Sequence, residues 1–127
     1  MTKILLVEDE EFLRDLYSRS LRLKNYEVET AVDSEDALVK LKLFKPDVVI
    51  LDIILPRLNG IEVLKMLKND PRLKRIPVIM LTGVSEINKI KECLDIGAIG
   101  YILKGSSADE ITEKINLIVS SSKNVGA

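Results

Sequence analysis

A chain of 127 residues is one domain's worth, long enough to bury a core without disulfides or metal staples. Its 19 Lys and Arg against 20 Asp and Glu leave a formal charge of −1, so no global field draws it to nucleic acid or an anionic membrane, and neither is an expected partner. One cysteine, Cys93, cannot form an internal disulfide, which suits a reducing cytoplasm, and the lack of histidine excludes the usual zinc sites, imidazole base chemistry and an internal phosphohistidine relay.

The opening run Ile4-Leu5-Leu6-Val7 is too short for a secretory core, and no later apolar run approaches a membrane span. It predicts a buried first strand, followed by a helix with Phe12, Leu13, Leu16, Tyr17 and Leu21 on one face. Glu27–Ala31 is the second strand, and its alternation suits a sheet edge. Ser34 is the expected N-cap of a second helix that turns Ala37, Leu38 and Leu41 inward. The third strand is Val48–Leu51, with Ile61, Leu64 and Leu67 marking the helix after it. Val78–Leu81 is the fourth strand, and Ser85 the expected cap of a helix facing inward through Ile87, Ile90 and Leu94, with Cys93 as a small packing residue. Tyr101–Leu103 is the fifth strand; Ser107-Ala108-Asp109-Glu110 reads as a capping box for a last helix carrying Ile111, Ile115 and Ile118. The basic stretch Lys65, Lys68, Arg72, Lys74 and Arg75 reads as solvated charge.

Strand and helix alternating five times predict an α/β fold. Its expected form is a three-layer, doubly wound, flavodoxin-like (βα)5 unit with a parallel five-stranded sheet in the order 2-1-3-4-5. Residues 1–120 are expected to form this domain and 121–127 a flexible tail or linker stub.

In such a sheet, ligands bind at the carboxyl ends of the strands. Strand 1 ends in Glu8-Asp9, strand 3 in Asp52, strand 4 in Thr82-Gly83 and strand 5 in Lys104. Taken singly, each has an ordinary reading as a solvated or turn residue. Together they put three carboxylates, a hydroxyl and an ammonium at one crevice. Carboxylates so close repel one another unless cations compensate, and a hard divalent ion with oxygen ligands, most naturally Mg²⁺, would do so. Metal, ammonium and hydroxyl suit the equatorial oxygens of a phosphoryl group, with one carboxylate as nucleophile forming an acyl phosphate.

Four segments then carry a family resemblance. They are Ile4-Leu5-Leu6-Val7-Glu8-Asp9-Glu10, Asp52-Ile53-Ile54-Leu55-Pro56-Arg57-Leu58-Asn59-Gly60, Pro77-Val78-Ile79-Met80-Leu81-Thr82-Gly83 and Gly97-Ala98-Ile99-Gly100-Tyr101-Ile102-Leu103-Lys104. In order and separation they resemble the receiver domains of two-component response regulators, from Lys3 to about Ser120. The resemblance implies that Asp52 accepts a phosphoryl group from a histidine kinase, a phosphotransfer protein or a small phosphodonor. It implies Mg²⁺, with Mn²⁺ as the alternative, held by Asp9, by Asp52, by the Ile54 backbone carbonyl and by Glu8 mainly through a metal-bound water. Thr82 and Lys104 would contact the phosphoryl group, and Thr82 and Tyr101 would act as switch residues. The output would be a protein partner recognising the face of helix 4, strand 5 and helix 5, from a monomer or a phosphorylation-dependent dimer in the cytoplasm. Pro56 and Gly60 read as structural.

Gly105 departs from the family pattern, in which a proline after a cis bond commonly follows the lysine; without proline, a trans Lys104–Gly105 bond is expected. The run Gly100–Ser107 resembles receivers that feed helix-turn-helix output domains, whereas Asn69–Pro77 is more similar to stand-alone or multidomain receivers. Ile54 and Val84 are aliphatic where many receivers have polar residues that position the hydrolytic water, so slow self-dephosphorylation is expected. Two other classes compete. A pseudo-receiver that binds partners without phosphorylation is disfavoured by the intact set Glu8, Asp9, Asp52, Thr82 and Lys104. An independent flavoprotein or P-loop enzyme is disfavoured by the acidic loop after strand 1 and the lack of a Gly-Lys-Ser/Thr element.

Overall fold

Side chains alternate across a strand, and in the central strands of this chain both directions lead into apolar surroundings. The computed structural model describes the backbone of residues 1–126 and the side chains of residues 1–121. In β1 (Lys3–Val7), Leu5 and Val7 enter one apolar cluster while Ile4 and Leu6 enter another. β3 (Val48–Asp52) and β4 (Val78–Thr82) divide their residues in the same way, and every residue of both is buried. With β2 (Glu27–Ala31) and β5 (Gly100–Leu103) at the edges, the five strands run parallel in the expected order 2-1-3-4-5.

One face of the sheet is covered by α1 (Glu11–Leu23) and α5 (Ala108–Gly126), through Tyr17, Leu21, Ile111 and Ile115. The other is covered by α2 (Ser34–Phe44), α3 (Gly60–Asn69) and α4 (Ile90–Ile96), with Ala37, Leu41, Leu64, Leu67, Ile90 and Cys93 among the inward residues. This is the predicted three-layer, doubly wound architecture. α5 continues through the stretch expected as a tail; Ala127, and the side chains of residues 122–127, lie outside the described residues, and the domain boundary at 120 remains an expectation.

Register makes the site. Val7 stands beside Leu51, Asp52 beside Leu81, and Thr82 beside Leu103. The residues at or just past these strand ends are therefore neighbours across the sheet, although 96 positions of chain separate Glu8 from Lys104.

Several local expectations need correction. Asp33, not Ser34, caps α2, accepting the Asp36 N–H at 2.8 Å. Ser34 is the first helical residue, and its hydroxyl accepts the Leu58 N–H at 3.3 Å instead. Ser85 caps nothing: after β4 the chain enters a 3₁₀ segment, Val84–Lys89, and α4 starts only at Ile90. Ile87 on that segment and Leu94 on α4 are therefore exposed, as are Phe12 and Leu16 on α1. On α1 the apolar stripe is wider than the part of it that the sheet and α5 cover. The Ser107 cap is present, its hydroxyl accepting the Glu110 N–H at 3.2 Å. Lys68 is not simply solvated. Its stem crosses Gly97, and its ammonium donates to the carbonyls of Lys74 (3.0 Å) and Ile76 (2.9 Å), closing the loop before β4, while burial lowers its pKa.

The start of α3 is set by close contact. Gly60 N–H donates to the Ile53 carbonyl at 2.8 Å, and Asn59 caps the helix by accepting the Glu62 N–H at 3.0 Å. A Cβ on Gly60 would lie 2.0 Å from the Asp52 carbonyl oxygen, so only glycine fits.

Candidate functional site

The crevice is built from strand ends and the loops they feed. Asp52, the last residue of β3, is buried, with Oδ1 accepting the Ile54 N–H at 3.0 Å and Oδ2 at 2.8 Å from Lys104 Nζ. Glu8 is also buried; its Oε2 accepts the Glu10 N–H at 3.1 Å, and its Oε1 lies 3.4 Å from the same ammonium. Asp9 is exposed at the rim. Arg14, on the first turns of α1, donates to the carbonyls of Glu8 (3.0 Å) and Asp9 (3.1 Å) and so holds the acidic loop in shape.

Thr82 is buried at the end of β4, its hydroxyl donating to the Gly83 carbonyl at 2.9 Å. Lys104 N–H donates to the Thr82 carbonyl at 2.8 Å, which ties the β5 exit to β4. The Lys104–Gly105 bond is trans, as expected. Ile54 and Val84 sit at the rim, 49% and 80% exposed. Tyr101 stands farther along β5, half-buried against the cluster beneath α2, α3 and α4, with the Lys114 ammonium 4.7 Å from its ring centre. The predicted residues thus fall into an inner set (Glu8, Asp52, Thr82, Lys104), a rim (Asp9, Ile54, Val84), and Tyr101 apart.

The electrostatics follow from burial. Desolvation first, and then the hydrogen bond to and charge of Asp52, push the Glu8 carboxyl up to about 8, against the opposing Glu10 N–H and Lys104 ammonium. Burial alone would lower the Lys104 ammonium, but its bonding to Asp52 and then Glu8 outweighs this and raises it. One ammonium thus faces two buried carboxylates, with Asp9 beside them.

A divalent cation fits this deficit. Glu8, Asp9 and Asp52 each offer an oxygen, all within 4.8 Å of one another. With Glu8 ionised, Glu8 Oε1 and Asp52 Oδ2 have no partner among the described residues apart from the Lys104 ammonium. Unsatisfied buried oxygens with carboxylate chemistry are what a hard ion such as Mg²⁺ takes. A cavity of about 530 Å³ lined by Leu41, Lys45, Arg72 and Leu73 lies at the amino ends of β3 and β4 and contains none of these groups.

The raised Glu8 carboxyl has a stability consequence with a definite sign. In metal-free protein the folded state holds the Glu8 proton up to about 8, whereas in the unfolded chain it leaves near 4.5. Between those values the folded state binds more protons, so stability is highest at the acid end and falls as pH rises toward 8. At most this is about 1.4 kcal/mol per pH unit. Melting curves in chelator from about pH 5 to about pH 8 are expected to show Tm falling, and added Mg²⁺ to recover most of the loss at the alkaline end. A Tm that rises across that range without metal would contradict this account.

Residues 4–116 match the family model of the response regulator receiver domain. The chain belongs to the response regulator receiver family. As a receiver it is 38% identical over 117 residues to the alkaline phosphatase synthesis transcriptional regulatory protein PhoP of Bacillus subtilis (strain 168), covering 92% of this chain and 48% of that protein. It is 34% identical over 123 residues to the phosphate regulon transcriptional regulatory protein PhoB of Rhizobium meliloti (strain 1021), covering 97% and 54%. The receiver thus spans about half the length of these curated relatives. Among solved structures it is similar to the chemotaxis response regulator CheY4 of Vibrio cholerae, with a TM-score of 0.86, 31% identity, and coverage of 93% and 98%. A CheY-like receiver domain protein of Methanospirillum hungatei JF-1 superposes with a TM-score of 0.89 at 27% identity, covering 98% of each chain. Receivers of this family are phosphoacceptors in two-component signalling, and that class of function holds for this chain. No helix among the described residues is long and apolar enough to cross a membrane.

Sequence reasoning missed Arg14, which reaches back five and six residues to the carbonyls of the acidic loop, and it missed the contacts of Ser34 and Tyr17 with the backbone N–H groups of loops distant in the chain, which no spacing signals. It also missed Arg57, which adopts φ +70° in the loop before α3 and pairs with Glu35 at 3.2 Å.

Proposed function

We propose that Asp52 is the phosphoacceptor, taking a phosphoryl group from a histidine kinase or phosphotransfer protein in an Mg²⁺-dependent reaction and signalling to a protein partner. The observation that carries this is the buried Asp52 carboxylate, braced by the Ile54 N–H on one oxygen, beside Lys104 on the other, and within reach of Glu8 and Asp9.

Glu8, Asp9, Asp52 and the Ile54 carbonyl would hold the metal, Glu8 mainly through a water. When bound, Mg²⁺ supplies positive charge against the phosphoryl oxygens. Asp52 Oδ2 attacks phosphorus as the donor's P–N or P–O bond breaks, and the leaving group takes the electron pair. Lys104 then pairs with a phosphoryl oxygen instead of the carboxylate. Thr82 turns its hydroxyl from the Gly83 carbonyl toward the same group. That movement, with Tyr101 shifting inward, biases a two-state equilibrium read on the face of α4, β5 and α5. The receiver catalyses only its own phosphoryl transfer and slow dephosphorylation. The reading carries a cytoplasmic location, where the buried Cys93 thiol stays reduced.

Intact mass after incubation with acetyl phosphate, with and without Mg²⁺, tests the assignment. One Mg²⁺-dependent phosphoryl adduct is expected, and its persistence in Asp52→Asn would sink it.

Slow decay belongs to the same proposal. Ile54 and Val84 offer an attacking water no hydrogen-bond partner at the rim. Ile54→Asn is expected to speed acyl-phosphate loss by about tenfold, a barrier change of about 1.4 kcal/mol. Loss from the unmodified chain within seconds, or an unaltered rate in the variant, would refute the idea.

A further inference from the structure

Lys104 must hold its ammonium against Asp52 from the end of a long, entropically costly side chain, so the backbone bearing it has to be fixed. Its N–H is anchored on the Thr82 carbonyl at 2.8 Å. On its carboxyl side the chain turns at once. Ser106 N–H returns to the Leu103 carbonyl at 3.1 Å, closing a four-residue turn with Lys104 second and Gly105, at φ +93°, third. That is the geometry of a type II turn, in which the third residue's N–H plays no part in closure. Here it is not idle: Gly105 N–H donates to the Tyr17 hydroxyl at 2.9 Å, across 88 positions of chain.

Tyr17 is built for that contact. Its ring is 4% exposed in the core beneath α1 and α5, so its hydroxyl is presented from a fixed body. Three positions earlier on the same helix, Arg14 grips the carbonyls of Glu8 and Asp9. One helix therefore holds the loop with the acidic groups and the turn with the ammonium. A proline at position 105 could make neither feature, having no N–H and a φ locked near −65°.

We infer that Tyr17 is a positioning residue for the phosphoacceptor site, its hydroxyl fixing the turn that aims Lys104 at Asp52. This rests on the proposed acceptor role of Asp52. Loss of the hydroxyl frees the peptide between Lys104 and Gly105 to flip between turn types and leaves the lysine loosely aimed.

Tyr17→Phe, which keeps the ring, tests it. Phosphoryl uptake from acetyl phosphate in Mg²⁺ is expected to slow by about threefold to tenfold, the worth of one hydrogen bond. Amide exchange at Gly105 should quicken while Tm changes little. In a Lys104→Met background the same change should slow uptake no further. The control is Tyr26→Phe, which removes a hydroxyl bonded to Asn116 on the same side of the sheet and should leave the rate unchanged. Should Lys104→Met take up nothing measurable, the contrast with Tyr26→Phe decides. An unchanged rate in Tyr17→Phe, equal slowing with and without Lys104, or equal slowing by Tyr26→Phe would overturn the role. Failure of the acceptor reading looks different: the unmodified chain takes up no phosphoryl group, or Asp52→Asn does, and both proposals then fall.

Discussion

Asp52→Asn is expected to end phosphoryl uptake, by about a hundredfold or more, while leaving the fold intact. The amide has the carboxylate's shape, so its oxygen still accepts the Ile54 N–H that now braces Oδ1. It lacks the charge to attack phosphorus. The same change removes one of the two buried carboxylates that share Lys104. Two of the causes that raise the Glu8 carboxyl come from Asp52, so Glu8 should titrate lower in the variant. Its metal-free stability should then depend less on pH between about 5 and about 8. Intact mass reads the first outcome and melting curves in chelator the second. Undiminished uptake would remove Asp52 from the mechanism; an unaltered pH dependence would mean that Glu8 and Asp52 are not coupled.

Gly60→Ala should be the most damaging substitution that adds a single methyl group. The new Cβ would lie 2.0 Å from the Asp52 carbonyl oxygen and 2.8 Å from Ile53 Cα, both backbone atoms of the strand that ends in the site. No side-chain rotation relieves a backbone clash, so either α3 moves away or the end of β3 does. Overpacking of this kind costs about 3 kcal/mol or more. Chemical denaturation should show the loss, and chains still folded should take up phosphate slowly because Asp52 is displaced. A midpoint within experimental error of the unmodified chain would show that α3 can be re-seated without strain.

Both effects depend on how the chain comes together at the ends of β1, β3, β4 and β5, and legibility divides there. The strands were legible because the runs around Leu5, Ile50 and Ile79 are apolar at every position, as strands covered on both faces must be. The inner site was legible because each of its residues sits at or just past such a run. Helix faces were legible only in part. Phe12, Leu16, Ile87 and Leu94 fit the helical period yet lie exposed, since a period shows which residues share a stripe but not how much of it the sheet covers. Caps misled for a similar reason: Asp33 and Ser34 are both good caps, and only the geometry of the α2 entry chooses between them.

By itself the sequence determined the class of fold, the order of its elements and the placement of Glu8, Asp9, Asp52, Thr82 and Lys104 as a set at neighbouring strand ends. These follow from local pattern, and right-handed connections between parallel strands leave few ways to assemble it. Only the tertiary structure decided the division of labour within that set. It alone shows that two carboxylates are buried and one is at the rim, and that a single ammonium stands between the buried pair. It alone brings the Tyr17 hydroxyl to Gly105 and the Arg14 guanidinium to the acidic loop. Burial, charge balance and hydrogen bonds between distant segments are properties of where the elements meet, and no stretch of sequence contains that meeting.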